Sequence, residues 1–435
     1  MLEGYKEYKK TLSHFDRIIP KHWIEQRLLV VCKPKSIINN YNEELLSVFL
    51  NYGVIKYKST SQKQVHKPSE DLSKYQLVEI GDLVLNNQQA WRGSVGVSSY
   101  RGIVSPAYYV YKISPEYNSS FFNYMVRDRD VVDQFVLFSK GVGSIQRMLN
   151  NSLIKNVIFT LPPRPEQDQI VRYLDWKVSM INKYINAKKK QIELLKEHKQ
   201  AVINEAVTRD GEAWKKLPLT SISKQKSIVN CINRELLSVY LGIGVVPFSS
   251  RDEKRTNATS KDLSKYQAVD FGDFVLNNQQ AWRGSVGVSK YSGIVSPAYI
   301  VLQLDNTLTT EYANYLFQSR NMVNKYVLCS KGIGSIQRNI DWDYLKKIDI
   351  EFPPVAEQHS IVKYLNEKCE YIDKFAKKLN DEIMLFSEYR TRLISDVVTG
   401  KVNVQNVKVP EFENIEVPDV FDSGESEEEK TNGDN

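Results

Sequence analysis

Two runs of polar residues carry the side chains with the most chemistry in this sequence. In the first, Asn86, Asn87, Gln88 and Gln89 are followed by Trp91 and Arg92. A carboxamide pairs a donor with an acceptor, which matches the N6/N7 edge of adenine, and the guanidinium fork of Arg92 matches O6/N7 of guanine. Trp91 offers a face for stacking or a brace for the loop, and Gly93 and Gly96 let a backbone come close. The second run, residues 140–147, reads Lys-Gly-Val-Gly-Ser-Ile-Gln-Arg. Its glycines can present backbone N–H groups to a phosphate, with Lys140, Ser144, Gln146 and Arg147 as polar and cationic contacts. Glycine-rich turns with Asn and Gln also commonly satisfy only their own backbone, so a ligand-contacting loop and a self-contained turn both stay open here.

Each run occurs twice. Residues 86–98 return letter for letter at 277–289, which adds Asn277, Asn278, Gln279, Gln280, Trp282 and Arg283 to the base-contact candidates. The second run returns at 331–338 and adds Lys331, Ser335, Gln337 and Arg338 to the phosphate-contact candidates. Trp91 and Trp282 lie 191 residues apart, and that offset holds without insertion from Trp23/Trp214 to Thr208/Thr399. A period of this size is too long for a solenoid and reads as two domain-sized modules with a pseudo-twofold relationship. Two equivalent reading heads suit a ligand with two equivalent halves, and duplex DNA is the commonest of these.

The elements that must position these loops follow from pattern. Residues 21–165 and 214–354 are rich in Val, Ile, Tyr and Phe with Gly and Asn punctuation, the language of strands and turns. Short helices are expected at 119–138 and 310–328, giving a mixed α+β class. Beyond Pro163 and Pro165 the pattern changes. Proline suits a helix's first turn, and Glu166 suits its positive end. Apolar residues then recur at spacings of three and four, including Leu174, Ile181, Ile192 and Leu195, and in the second copy Leu365, Ile372, Ile383 and Phe386. That seam is the coiled-coil signature, and each long helix is expected either to pair antiparallel with its own copy or to cap its own domain, the narrow seam and the length favouring the pair. The expected organisation is a first globular domain at 1–165, a spacer helix at 166–212, a second domain at 213–356, a second helix at 357–402, and an acidic, disordered tail at 403–435.

Composition narrows the function. The chain has 435 residues, 42% hydrophobic and 26% charged, which is ordinary for a soluble protein. It lacks a long uncharged apolar run and an apolar leader, so it is read as cytoplasmic, without a membrane partner. Ten acidic residues and one lysine lie from Glu411 onward; taking them from totals of 52 and 59 leaves 42 acidic against 58 basic, a balance of +16. That charge suits a polyanionic partner. Cys32, Cys231, Cys329 and Cys369 show no CxxC spacing, and none is matched by Cys in the other copy. His22, His66, His198 and His359 face Ala213, Asn257, Tyr389 and Asp168, so no metal site or His-based pair is repeated. Phosphate-loop, dinucleotide, zincin and nucleophile-elbow motifs are absent, as is the Asn-Pro-Pro-aromatic run of adenine methyltransferases. The copies differ most at 51–70, with Lys56, Lys58, Lys63, His66 and Lys67, and at 242–261, with Arg251, Lys254, Arg255 and Lys261. Those stretches read as drifting solvent loops or as the place where two heads tune their preferences apart.

The arrangement resembles the specificity subunit of type I restriction-modification enzymes. The resemblance rests on Leu161-Pro-Pro-Arg-Pro-Glu-Gln leading into a long helix, its copy Phe352-Pro-Pro-Val-Ala-Glu-Gln, the helix ends around Thr208 and Thr399, and Gly-Ile-Val-Ser-Pro-Ala-Tyr at Gly102 and Gly293. It implies two target-recognition domains, each reading one half of a split site in double-stranded DNA, separated by antiparallel helices. It also implies that this chain is non-catalytic and binds no cofactor. Two modification (methyltransferase) subunits would bring S-adenosylmethionine and methylate adenine, while restriction or motor subunits would bring ATP and Mg2+ for cleavage. In one respect the sequence departs from the family: residues 71–110 and 262–301 differ at only seven positions, where two such domains in one chain commonly differ strongly. Near-identical heads are expected to read near-identical half-sites, hence a close-to-palindromic target. A self-contained DNA-modifying enzyme and a coiled-coil protein-interaction scaffold are the alternatives from other classes.

Overall fold

A computed structural model describes residues 3–12, 15, 17–50, 52–57, 68–141, 147–209, 211–250, 262–333 and 337–415. The first globular domain is built on a four-stranded antiparallel sheet, in the order Cys32–Lys35, Tyr108–Ile113, Asp82–Asn86, Val95–Val97. Its second strand in sequence is apolar on both faces, and the two faces feed different cores. Leu83 and Leu85 enter the main core with Phe121, Phe122 and Phe159, whereas Val84 enters a smaller one with Leu46, Val48 and Val104. A strand buried on both sides reads as a continuous apolar run rather than an alternating one. The second domain repeats the sheet as Ser223–Lys226, Tyr299–Leu304, Phe274–Asn277, Val286–Val288.

Each short helical region expected from the sequence is two helices: Ser119–Met125 and Arg129–Leu137, then Thr310–Gln318 and Arg320–Leu328. The break has a local cause. Asp128 accepts a bond from the Asp130 amide and Ser319 from that of Met322, so each starts a new helix where continuation was expected.

The long helices span Arg164–Val207 and Val355–Val398, 44 residues each. They start two residues before Glu166 and Glu357; in the first, Pro165 fits within a first turn where no N–H partner is needed, and in the second Ala356 stands at that place. Glu166 is buried and accepts from Tyr5 Oη (2.6 Å) and Trp23 Nε1 (3.0 Å), which ties the N-terminal segment to the helix start.

Contacts divide the chain into two compact units, Met1–Lys189 with Asp381–Asn435, and Lys190–Asn380. Lys190 and Asp381 are repeat-equivalent, so the division respects the duplication. In the first unit Asn182 bonds Arg390, the rings of Tyr184 and Phe386 stack at 5.7 Å, and Lys188 pairs with Glu382 at 2.7 Å. Numbers rise on one helix as they fall on the other, so the segments run antiparallel. Leu174 and Ile181 are buried with Leu393 and Val397 in that unit's core, with Ile383 and Phe386 half-buried against it. In the second unit Lys199 pairs with Asp373 at 2.7 Å, Leu365 is buried with Val207, Ile192 and Ile372 are buried, and Leu195 is half-buried.

Residues 403–415 depart from the expected disordered tail. Val404 is buried, and Val407 and Val409 pack against the first core. The carbonyls of Val404 and Val407 accept from Gln169, that of Glu413 from Ser179, and that of Ile415 from Asn182. Apolar burial and four such bonds hold this strap along the first long helix. The remainder of the acidic tail lies outside the described residues.

Candidate nucleic-acid interface

The first polar run sits where Asp82–Asn86 leaves the sheet and turns back into Val95–Val97. Asn86 Oδ1 accepts from the Gln88 amide at 3.1 Å, an Asx turn, and its Nδ2 reaches Tyr108 Oη at 3.5 Å. Residues Ala90–Arg92 form one 3-10 turn, closed by Gly93 at φ +99°, which an L side chain rarely adopts. Gly96 serves the fold as well: a Cβ there would lie 2.8 Å from the Cα of Gly53. Both glycines thus shape the loop's own backbone.

Asn87 is buried, and its carbonyl accepts from the Leu149 amide on the far strand of the hairpin Ser139–Lys140/Met148–Leu149. Asn278 holds Ile340 in the same way, with its side-chain oxygen also accepting at 2.9 Å. Through this asparagine the two polar runs, which begin 54 positions apart, become neighbours. The candidates therefore divide. Asn86, Asn87 and their copies hold the loop, while Gln88, Gln279 and Arg92 are exposed and Gln89, Gln280, Trp91, Trp282 and Arg283 are half-buried.

Trp91 joins the runs a second time. Its indole N–H donates to the Gln88 carbonyl at 2.9 Å, which fixes the ring. The guanidinium carbons of Arg92 and Arg147 lie 5.5 and 5.4 Å from the ring centroid, one from each run. Trp282 has Arg283 at 4.7 Å and Arg338 at 5.4 Å. Cation–π attraction of this kind contributes about 0.5–1 kcal/mol at exposed sites, enough to bias two mobile side chains toward one pose. The result is a flat aromatic face flanked by two guanidinium groups, with an exposed carboxamide beside it, repeated in both domains. Such a group can stack on, hydrogen-bond to and neutralise a nucleic acid at once.

The hairpin lysines differ between copies. Lys140 is exposed, whereas Lys331 forms an ion pair with Asp341 and lies 4.8 Å from the Tyr344 ring. The bond to Asp341 raises the Lys331 pKa, and the same bond holds the Asp341 carboxyl below its usual range. Asn150 and Leu153 stand at the equivalent places in the first copy. Ser144, Gln146 and Ser335 lie outside the described residues, as do Lys58, Lys63, His66, Lys67, Arg251, Lys254, Arg255 and Lys261, and only the backbone of Gln337 is described. Among the described residues no group of three His, Cys, Asp or Glu could hold a metal ion, and no helix is long and apolar enough to cross a membrane.

The pairing of the two runs was not visible in the sequence, although one signal pointed to it. Both runs persist at the same offset, each with an arginine, while flanking residues change.

A family model described as the type I restriction modification DNA specificity domain matches residues 32–194 and again 216–385. A putative type I restriction enzyme MjaX specificity subunit of Methanocaldococcus jannaschii is 23% identical over 374 residues, covering 77% of this chain and 81% of that protein. The type I restriction enzyme EcoKI specificity subunit of Escherichia coli is 23% identical over 299 residues, covering 62% of this chain and 64% of its own length. A chain solved in work on complex assembly and conformational transition of the type I R-M system shares the fold, with a TM-score of 0.61, 14% identity, and coverage of 88% of this chain and 99% of that one.

Proposed function

The chain belongs to the type I restriction modification DNA specificity family, and from that premise we propose that its two globular domains read the two halves of one split, close-to-palindromic DNA site. The observation that carries this reading is the tryptophan flanked by arginines from two separate runs, present with the same partners in both domains. Gln88 and Arg92, with Gln279 and Arg283, are the base-reading side chains. Lys140, Arg147, Lys331 and Arg338 face the phosphates, and Asn86, Asn87, Asn277 and Asn278 hold the loops. Because these loops are identical in sequence, they favour the same bases.

DNA, together with methyltransferase and restriction subunits, is the partner set of a type I specificity subunit. In the finer reading, two modification subunits supply S-adenosylmethionine and the transfer to adenine, and a motor subunit supplies ATP and Mg2+ chemistry. This chain then contributes address rather than catalysis, in the cytoplasm. The segments 166–212 and 357–402 act as spacers between the recognition domains at 1–165 and 213–356.

The test is to produce the chain with its modification partners and map the methylated adenines by sequencing. Two half-sites that are near-inverted copies of each other are expected. Clearly unrelated half-sites would sink the shared-specificity reading.

A further inference from the structure

The likeness of the two loop faces ends at one exposed position. Residues 139–150 and 330–341 differ at four places, Val142/Ile333, Met148/Asn339, Leu149/Ile340 and Asn150/Asp341. Val142 lies outside the described residues, and Leu149 and Ile340 are buried aliphatic side chains of equal volume. Asn150 and Asp341 are held locally. The Asn150 side chain accepts from the Ser152 amide at 3.1 Å, while the Asp341 carboxylate accepts from the Asp343 amide at 2.9 Å and pairs with Lys331. That leaves Met148 and Asn339. Met148 is 46% exposed, Asn339 is exposed as well, and among the described residues the Asn339 carboxamide has no hydrogen-bond partner.

Strand pairing fixes the side on which these two residues stand. Met148 lies directly opposite Lys140, and Asn339 directly opposite Lys331, in antiparallel pairs. Opposed residues share a face and successive ones alternate, so each stands beside its hairpin lysine, away from the buried Leu149 or Ile340. The preceding residue, Arg147 or Arg338, reaches its tryptophan at 5.4 Å. Each head therefore carries, next to the same aromatic and cationic group, one exposed side chain of different chemistry. It is a thioether in the first head and a carboxamide in the second.

We infer that Met148 and Asn339 set one base pair at which the two half-sites differ. The Asn339 carboxamide pairs with the N6/N7 edge of adenine, and Met148, which has no N–H or O–H to offer, packs on the 5-methyl group of thymine at the corresponding place. The target is then an inverted repeat broken at a single A·T pair. This inference rests on the reading of the two loop faces as DNA-reading faces.

The methylation map of the chain produced with its modification partners tests it at that position. The wild type is expected to methylate sites whose halves are inverted copies except at one base pair, with thymine in one half where the other has adenine. Met148→Asn should move the thymine half to adenine by roughly ten- to a hundredfold, the discrimination of one bidentate base contact, and make the target symmetric. Asn339→Met is the reciprocal and should move the other half to thymine, while Met148→Leu, which keeps an apolar side chain, should keep the thymine. Residues that only support the hairpin would lower methylation at every site alike and leave the base preference in place, and that result overturns the inference. So do half-sites that are inverted copies without exception, which leave the reading of the two faces standing. Half-sites unrelated throughout overturn that reading as well.

Discussion

The two domains keep their loop faces and exchange their cores. From 86 to 98 and from 277 to 289 no residue differs, yet beneath them Leu83 becomes Phe274, Phe122 becomes Ala313, Val126 becomes Phe317 and Phe159 becomes Ile350. In the first domain Phe122 packs edge-on to Phe159 at 5.4 Å, whereas in the second Phe274 stacks on Phe317 at 4.0 Å. The sheet edge shows the same freedom. Arg101 pairs with Glu43 and Glu79 in one copy, while in the other Arg234, at the place of Glu43, pairs with Asp270. Cores accept exchanges that conserve volume. Exposed side chains usually change stability by no more than about 0.5 kcal/mol, so folding alone does not hold Gln88 and Arg92 constant. A shared DNA contact on that face, as proposed above, would.

The largest effect that can break this comparison lies in the exchanged core. Phe317→Ala removes half of the stacked pair and should cost about 3–5 kcal/mol, read as a lower denaturant midpoint for the second domain. Adding Ala313→Phe, which restores the first domain's arrangement of volume, should recover part of that loss, a coupling that a double-mutant cycle measures. A single substitution costing under about 1 kcal/mol, or no recovery in the double variant, would mean that the cores diverged without compensation.

On the shared face the expected effect is smaller but selective. Arg92→Ala should weaken binding at one half-site by about 1–3 kcal/mol and leave random duplex nearly unaffected. Titrations on specific and random DNA separate the two outcomes, and an equal loss on both would count against base reading. Trp91→Ala should add to the loss by releasing Arg147 together with Arg92.

Much of this organisation was legible in the sequence, because it rests on periodicity. The helix seam follows from spacings of three and four, and the duplication from a constant offset. What could not be read depends on tertiary neighbours. Asn87 has the same side chain as Asn86, and only the packing of the hairpin shows that it is buried and bonded to Leu149. The grip of Arg147 on Trp91 joins residues 56 positions apart, beyond any local rule. The helix breaks at Asp128 and Ser319 lie inside stretches read from their apolar spacing as single helices, and the cap bonds that make the breaks appear only in the structure. The strap at 403–415 was masked by its acidic neighbours, although Val404, Val407 and Val409 recur there as an apolar set.

The finest comparison is between Lys140 and Lys331. A lysine that neutralises a phosphate releases a counterion, so its loss should flatten the salt dependence of binding by about one unit of slope. Lys140→Ala should show that change in full. Lys331→Ala should show less, because Asp341 already holds the ammonium and must be displaced before DNA can use it. Asp341→Asn should then steepen the salt dependence by releasing Lys331. The sign with pH follows from the carboxyl. Since Lys331 holds the Asp341 pKa below the usual carboxylate range, the pair persists from neutral pH downward and is lost only as pH falls through that depressed value. The two lysines should therefore differ at neutral pH and converge in acid. Equal slopes for both alanine variants at neutral pH would show that the ion pair does not compete with DNA, and the heads would then be equivalent in charge as well as in sequence.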